Sequence, residues 1–252
     1  MSTLGERLPH VHDRAVADSL DPSWCREIRL EASDFGTACP APPRAYPAIK
    51  RAIDLVGAIL LVAIAVPALL LVALAVRLSS PGPALFQQPR VGKGGRSFAC
   101  YKFRSMRVDA DPRVHQDAVA RYYGGDILAR GNQRAPFKLD NDARVTRVGA
   151  ALRRSSLDEL PQLFNVIRGE MSLVGPRPAL SYEVALYSAQ DSARLTVLPG
   201  MTGLWQVKGR GRVGYHEAMA LDLDYVRNRS LWLDCKILLL TIPAVALRLG
   251  AV

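Results

Sequence analysis

Residues 55–76 form an apolar run without a single charged residue, Ser, Thr, Asn or Gln, interrupted near its middle by Pro67. Lys50 and Arg51 precede it and Arg77 follows it. About 20 apolar residues in a helix are enough to cross the hydrocarbon core of a bilayer, so this run constrains the fold more than any other feature. The flanks add a second constraint: Lys and Arg mark the cytoplasmic end of a membrane segment, and both ends carry that mark. A helix that enters, breaks at Pro67 and returns to the same face satisfies both, because proline removes one backbone donor and clashes with the preceding turn. A straight transmembrane span is the rival, since proline is tolerated where the freed groups find other partners. A cleaved signal peptide fits poorly, because its apolar core of about 7–15 residues sits at the extreme N-terminus. A buried helix of a soluble protein would show a polar stripe, and none is present.

The chain has 252 residues and a formal net charge of +10, which suits one domain behind an N-terminal extension and a surface facing anionic headgroups or phosphorylated ligands. A basic nucleic-acid-binding module is the other usual reading of such charge, but no nucleic-acid motif accompanies it and an apolar hairpin has no purpose there. Cys25, Cys39, Cys100 and Cys235 lack Cys-x-x-Cys spacing and read as reduced, incidental thiols, and the histidines form no ligand cluster beyond His10 and His12.

Four zones follow. Residues 1–46 read as a mobile extension, with a short helix around Trp24 and a proline-rich close at Pro40, Pro42, Pro43 and Pro47. The membrane hairpin occupies about residues 50–78 and ends at the turn signal Ser79-Ser80-Pro81-Gly82-Pro83. Residues 84–106 alternate apolar and polar across Phe86, Val91, Phe98 and Tyr101 with Gly92, Gly94 and Gly95 between, the pattern of a short β-hairpin. Beyond Asp109 the pattern is mostly helical, apart from a polar loop at 124–141. Residues 237–247, interrupted by Pro243, are too short to span and read as an interfacial or packing helix.

The chemical centre is Arg153-Arg154-Ser155-Ser156-Leu157-Asp158-Glu159-Leu160-Pro161-Gln162-Leu163-Phe164-Asn165-Val166. Ser156 and Glu159 have capping-box spacing, which predicts a helix start with Pro161 in or bending its first turn. Asp158 and Glu159 would then lie where the helix dipole and free N–H groups favour negative charge and leave donors for a phosphate. Acidic residues in a first turn also serve merely to complement the dipole, and Glu159 alone would be occupied by capping. Further on, Gly175-Pro176-Arg177-Pro178 holds an arginine between two prolines, either as a rigid exposed turn or as a guanidinium preset for bidentate phosphate contact.

These stretches together resemble the bacterial sugar transferase family, the monotopic polyprenol-phosphate phosphoglycosyl transferases. The resemblance covers about residues 49–250 and rests on five motifs in order: Lys50-Arg51-Ala52-Ile53-Asp54, Tyr101-Lys102-Phe103-Arg104-Ser105-Met106, the Ser-Leu-Asp-Glu-Leu-Pro-Gln-Leu-Phe-Asn-Val run, Gly-Pro-Arg-Pro, and Leu198-Pro199-Gly200-Met201-Thr202-Gly203-Leu204-Trp205-Gln206-Val207.

The resemblance implies an enzyme that transfers a sugar 1-phosphate from a nucleoside diphosphate sugar, usually a UDP-sugar, to polyprenyl (undecaprenyl) phosphate, the first membrane step of exopolysaccharide, capsule, O-antigen or glycoconjugate synthesis. It assigns Asp158 as nucleophile, forming a covalent aspartyl-phosphosugar, and Mg²⁺ to Asp158 with Glu159 in support. Arg153 is implied to hold phosphate oxygens and Arg177 to act on the nucleotide side, while Lys102, Arg104 and Asp222 match recurrent substrate-binding positions of unassigned role. The implied location is the bacterial inner (cytoplasmic) membrane, with the catalytic domain facing the cytoplasm, the hairpin broken at Pro67, and downstream glycosyltransferases as partners. The family's break is a Ser-Pro pair, where this chain has Val66-Pro67. Asp54 is expected to pair with a nearby Arg or lie at the headgroups. The short extension is expected to leave no room for the additional membrane helices that some larger relatives carry.

The expected fold is therefore mainly helical α+β, a monotopic membrane protein with one re-entrant helix-break-helix hairpin and a small strand component. Residues 1–46 form the extension and 47–252 the phosphoglycosyl transferase domain. The competing function is a catalytically inactive membrane anchor or assembly factor for polysaccharide export, which loss of Asp158, Glu159 or Arg177 would have favoured; all three are present.

Overall fold

A computed structural model of the chain describes residues 42–108, 142, 144–209 and 215–246. The expected extension up to residue 41, the short helix around Trp24 and the loop at 124–141 lie outside these residues. Helix α1 (Tyr46–Ser79, 34 residues) contains the apolar run. Pro47 stands in its first turn, where a missing N–H removes no helical bond. At Pro67 the expectation of a helix-break-helix segment needs correction, because helical conformation continues through the proline to Ser79. Proline costs one bond and crowds one carbonyl, yet Val66 has no polar side chain to offer the backbone an alternative partner. The run therefore stays helical on both sides.

An antiparallel hairpin follows, β1 (Leu85–Val91) and β2 (Ser97–Phe103), in register from Leu85 opposite Phe103 to Val91 opposite Ser97. It turns at Lys93–Gly95, where Gly94 and Gly95 supply positive φ. This is the hairpin read from the alternation. Then come α2 (Arg147–Ser155), a single 3₁₀ turn (Leu157–Glu159) and α3 (Gln162–Arg168). Strand β3 (Ser172–Val174) precedes the short helices α4 (Ser181–Val184) and α5 (Ala189–Ser192), and a 3₁₀ turn (Ala193–Thr196) leads to β4 (Gly200–Thr202). β3 and β4 pair in parallel, Ser172 opposite Gly200 and Val174 opposite Thr202. Helices α6 (Leu204–Gly209), α7 (Tyr215–Asn228) and α8 (Leu231–Ala246) complete the described chain. The architecture is mainly helical, with two small sheets and one long apolar helix.

Two apolar clusters hold these elements against the two ends of α1. Ala58 belongs to the larger one, with Cys100, Leu163, Val166, Met171, Leu173, Leu204, Tyr225, Val226 and Ile237. Val72 and Val76 belong to the second, with Phe103 of β2 and Leu152 of α2. Polar contacts reinforce both ends. Arg51 donates to the carbonyls of Val166 (2.6 Å) and Ile167 (2.9 Å), where the α3 backbone runs out of intrahelical donors. Asp54 is buried and accepts from the N–H of Leu173 at 3.0 Å, with Lys50 at 3.9 Å, so its partners are a strand amide and a lysine rather than the expected arginine. Lys50 also meets Asp234 of α8 at 3.1 Å, and Asp234 accepts in turn from Tyr46 (3.0 Å) and Tyr225 (2.7 Å). At the other end, Arg104 donates to the carbonyls of Ser80 (2.7 Å) and Pro81 (2.5 Å), which closes the turn after α1.

The outer face of α1 is left bare: Ile59, Leu60, Leu61, Ile64, Leu70, Leu71, Leu74 and Leu78 are all exposed, Ile64 at 77% and Leu78 at 79%. An apolar face this large marks contact with lipid or protein. Among the described residues α1 is the one helix long and apolar enough to cross a membrane. Helix α8 likewise exposes Trp232, Leu239 and Ile242 beside a buried Ile237.

Where α2 crosses the end of β2, the backbones touch. A Cβ on Gly149 would lie 1.9 Å from the carbonyl oxygen of Ser105, whereas one on Gly57 would meet only the tip of Leu173 at 2.9 Å. Gly149→Ala should therefore lower stability by about 1–3 kcal/mol, an overpacking cost that must move backbone, while Gly57→Ala should be tolerated through rotation of Leu173. Thermal unfolding of both variants in detergent checks the contrast; equal midpoints would contradict it.

Candidate active site

The acidic pair is presented by an unusual turn. Thr146 caps α2 by accepting from the Gly149 N–H at 2.9 Å, as threonine does at helix starts. The helix ends at Ser156, whose φ of 59° is left-handed and whose N–H reaches back to the carbonyls of Leu152 and Arg153. Among the described residues it is the one non-glycine with positive φ. Such a conformation costs roughly 1–2 kcal/mol and is held by its surroundings. Ser156 thus ends one helix instead of starting the next, and its side chain makes no cap bond at the following turn. The capping box expected from Ser156 and Glu159 is not formed. Helical backbone resumes in the 3₁₀ turn and runs into α3 with Pro161 just before its first residue, so the proline lies near the helix start without breaking it.

The consequence is a compact charged group. Asp158 is buried at 8% exposure in the 3₁₀ turn. Glu159, one residue on, forms an ion pair of 2.9 Å with Lys102 of β2. Arg153 donates from Nε to Ser105 Oγ at 2.9 Å. Burial pushes the Arg153 pKa down from its ordinary value, and the field of Asp158, followed by those of Asp142 and Glu159, opposes that push. Asp158, Glu159, Lys102 and Arg153 therefore meet at one place, joined by Ser105, which the sequence reading passed over.

That place is fixed by Asn165, fully buried on α3. Its Oδ1 accepts from the Tyr101 N–H at 3.0 Å, and its Nδ2 donates to the Ala99 carbonyl at 2.7 Å and to Glu170 at 2.6 Å. A side-chain amide so placed substitutes for a neighbouring strand along the open edge of β2, and it locks the acidic turn opposite Lys102.

A second charged group surrounds Arg177. Asp222 of α7 is buried and meets Arg194 at 2.5 Å. Burial pushes the Asp222 pKa up to about 6, against the pull of Arg194 and Arg177. Arg177, Glu183, Arg194, Trp205 and Asp222 line one small pocket. The buried Cys100 thiol is pushed up by burial and feels the charges of Lys102, Arg90, Glu159 and Arg177. Arg104, expected on the substrate, belongs to neither: its guanidinium caps the turn after α1. Pro67 lies far along the chain from both, on the exposed side of α1.

No group of three or more His, Cys, Asp or Glu side chains suited to a metal occurs among the described residues. Two adjacent carboxylates, Asp158 and Glu159, match the way Mg²⁺ is held, by one or two carboxylates with phosphate oxygens and water completing its shell.

Comparison with known proteins agrees with the motifs. The family model described as bacterial sugar transferase matches residues 45–248. The chain is 44% identical over 203 residues to the UDP-galactose-lipid carrier transferase of Erwinia amylovora, covering 81% of this chain and 41% of that protein. It is 43% identical over 202 residues to the exopolysaccharide production protein ExoY of Rhizobium meliloti (80% and 87%). It is 46% identical over 214 residues to the UDP-glucose:undecaprenyl-phosphate glucose-1-phosphate transferase of Caulobacter vibrioides (82% and 73%). The chain thus spans less than half the length of the Erwinia protein and most of the length of the other two. With the match running from the start of α1 to the end of α8, the chain belongs to the bacterial sugar transferase family.

Proposed function

We propose that this chain transfers a sugar 1-phosphate from a UDP-sugar to undecaprenyl phosphate, with Asp158 as covalent nucleophile, at the cytoplasmic face of a bacterial inner membrane. The carrying observation is the buried Asp158 carboxylate in the field of Arg153, beside the Glu159–Lys102 pair, in a chain whose relatives are named for transfer of galactose or glucose phosphate to a lipid carrier. An oxygen of Asp158 attacks the sugar-bearing phosphorus, and the bond from that phosphorus to the bridging oxygen breaks, so UMP leaves with the electron pair. A phosphate oxygen of the lipid then attacks the same phosphorus, the acyl–phosphate bond breaks, and the carboxylate is regenerated. Arg153, oriented by Ser105, faces the charge that grows on the phosphoryl oxygens, and Arg177 takes the nucleotide side. Mg²⁺ held by Asp158 with Glu159 would offset repulsion between carboxylate and diphosphate. The product feeds glycosyltransferases that extend the lipid-linked sugar in exopolysaccharide assembly.

The packing of α1 favours the re-entrant topology in spite of the uninterrupted helix. Residues at both ends, Arg51 and Asp54 on one side and Val72 and Val76 on the other, rest on the same body. The stretch between Ala58 and Val72 amounts to about 20 Å of helix, short of the ~30 Å hydrocarbon core. On this reading that stretch lies in one leaflet as a helix that runs on through Pro67.

Two outcomes check these readings. Asp158→Asn, in which an amide replaces the nucleophile, should lower UMP release with undecaprenyl phosphate, Mg²⁺ and UDP-glucose or UDP-galactose by about a thousandfold or more. Retention of a tenth of the activity by a folded variant would exclude covalent catalysis at Asp158. In a cysteine-free background, single cysteines at Ala48 and Ser79 should both be shielded from a membrane-impermeant thiol reagent applied to spheroplasts; labelling of either from outside would mean that α1 spans.

A further inference from the structure

The Pro-Arg-Pro segment is held from two directions by charges that belong to none of the five motifs. From β1, the buried Arg90 donates to the carbonyl of Pro178 at 2.8 Å while Gln88 accepts from its other nitrogens at 2.6 and 3.2 Å. From the 3₁₀ turn Ala193–Thr196, Arg194 donates to the carbonyl of Arg177 at 2.8 Å, to Tyr187 Oη at 2.7 Å and to Asp222 at 2.5 Å. From α7, the buried Asp222 carboxylate anchors that same Arg194 guanidinium. Just beyond the segment, Glu183 accepts from the Leu180 N–H at 2.8 Å.

The carbonyls of Arg177 and of Pro178 are thus each bonded to a buried arginine. Flanking prolines fix φ of their own residues and keep Arg177 extended, but they leave the placing of the whole segment free. Charge-assisted bonds in a desolvated setting remove that freedom. The cost is considerable, since Arg90, Arg194 and Asp222 are each exposed by less than a tenth and two cations and one anion are buried together. A burial so expensive is hard to account for by stability alone, because apolar side chains would fill the same space.

We infer that Arg90, Arg194 and Asp222 are positioning residues that set the backbone of Arg177, and through it the angle at which its guanidinium meets the nucleotide diphosphate. The functional half of this inference rests on the donor chemistry proposed above. Asp222, expected on the substrate, faces the loop instead.

The test combines a backbone readout with a kinetic one. Hydrogen–deuterium exchange in detergent, read on the peptide covering residues 175–180, should show faster exchange in Asp222→Ala, which releases Arg194, and in Arg194→Lys, which loses the planar fork that reaches the Arg177 carbonyl. Unchanged protection in both would overturn the inference whatever the protein catalyses. With UDP-sugar as the varied substrate, Arg194→Lys and Arg90→Lys should raise the donor KM about tenfold and leave the KM for undecaprenyl phosphate unchanged, because a displaced phosphate ligand weakens one substrate alone. Arg194→Lys combined with Arg177→Lys should be no worse than Arg177→Lys by itself, the signature of one residue acting through another. Deficits that multiply, or an equal loss toward both substrates, would overturn positioning and leave a general role in folding. Should the wild-type protein release no UMP from any UDP-sugar, the transferase reading fails, and the exchange measurement alone decides whether the three residues hold Arg177.

Discussion

One buried amide sets the geometry on which the acidic site depends. Asn165 joins α3 to the open edge of β2 through bonds to Tyr101 and Ala99. Because α3 continues directly from the turn that carries Asp158 and Glu159, fixing α3 along the strand fixes the carboxylates opposite Lys102. A buried polar group left without partners costs about 1–3 kcal/mol, so the hairpin and the helix cannot slide by a residue without losing several bonds at once. The proposed chemistry draws on this register. A carboxylate held still beside cations needs no reorganisation when a phosphoryl group arrives, and preorganised charge is worth most where water is excluded.

The long apolar helix α1 is tied to the same body by the residues that flank it. Lys50 and Arg51 are bonded within the protein, to Asp234 and to the carbonyls ending α3. They therefore say less about lipid headgroups than their position in the sequence suggests. Their effect is mechanical: they fasten the base of α1 to α3 and α8, beside the larger apolar cluster. Arg104 does the same for the other end. The rest of the described chain is thus clamped to both ends of the long apolar helix, an arrangement that the proposed reaction between an aqueous donor and a lipid phosphate would use.

Much of this was legible in the residues. The apolar run, the β-hairpin at 84–106 and the C-terminal apolar helix are long or strongly patterned, and the acidic pair and Arg177 stand in motifs whose residue types match phosphate chemistry. The misread features have physical reasons. Ser156 and Glu159 have capping-box spacing, but the helix before them ends at Ser156 in a left-handed turn usually reserved for glycine, and Lys102 claims Glu159. β3 and β4 have three residues each, below the length at which alternation is readable, and they pair where Gly175 and Gly200 let two backbones touch. Arg90 and Arg194 leave no signature, since their partners include backbone carbonyls 88 and 17 residues away. Pro67 shows the limit of a local rule: the residue type argues for a break, and the helix runs on through it.

The central claim is that the sugar phosphate rests on Asp158 between donor and acceptor. Intact-protein mass spectrometry of the wild-type chain, quenched after mixing with UDP-sugar and Mg²⁺ in the absence of undecaprenyl phosphate, addresses it most directly. The account predicts an adduct of one sugar phosphate per chain, located on the peptide containing Asp158 and discharged when undecaprenyl phosphate is added. Full turnover in the complete mixture, with no adduct at any time of quenching before acceptor is supplied, would contradict it and point to direct transfer between the two substrates.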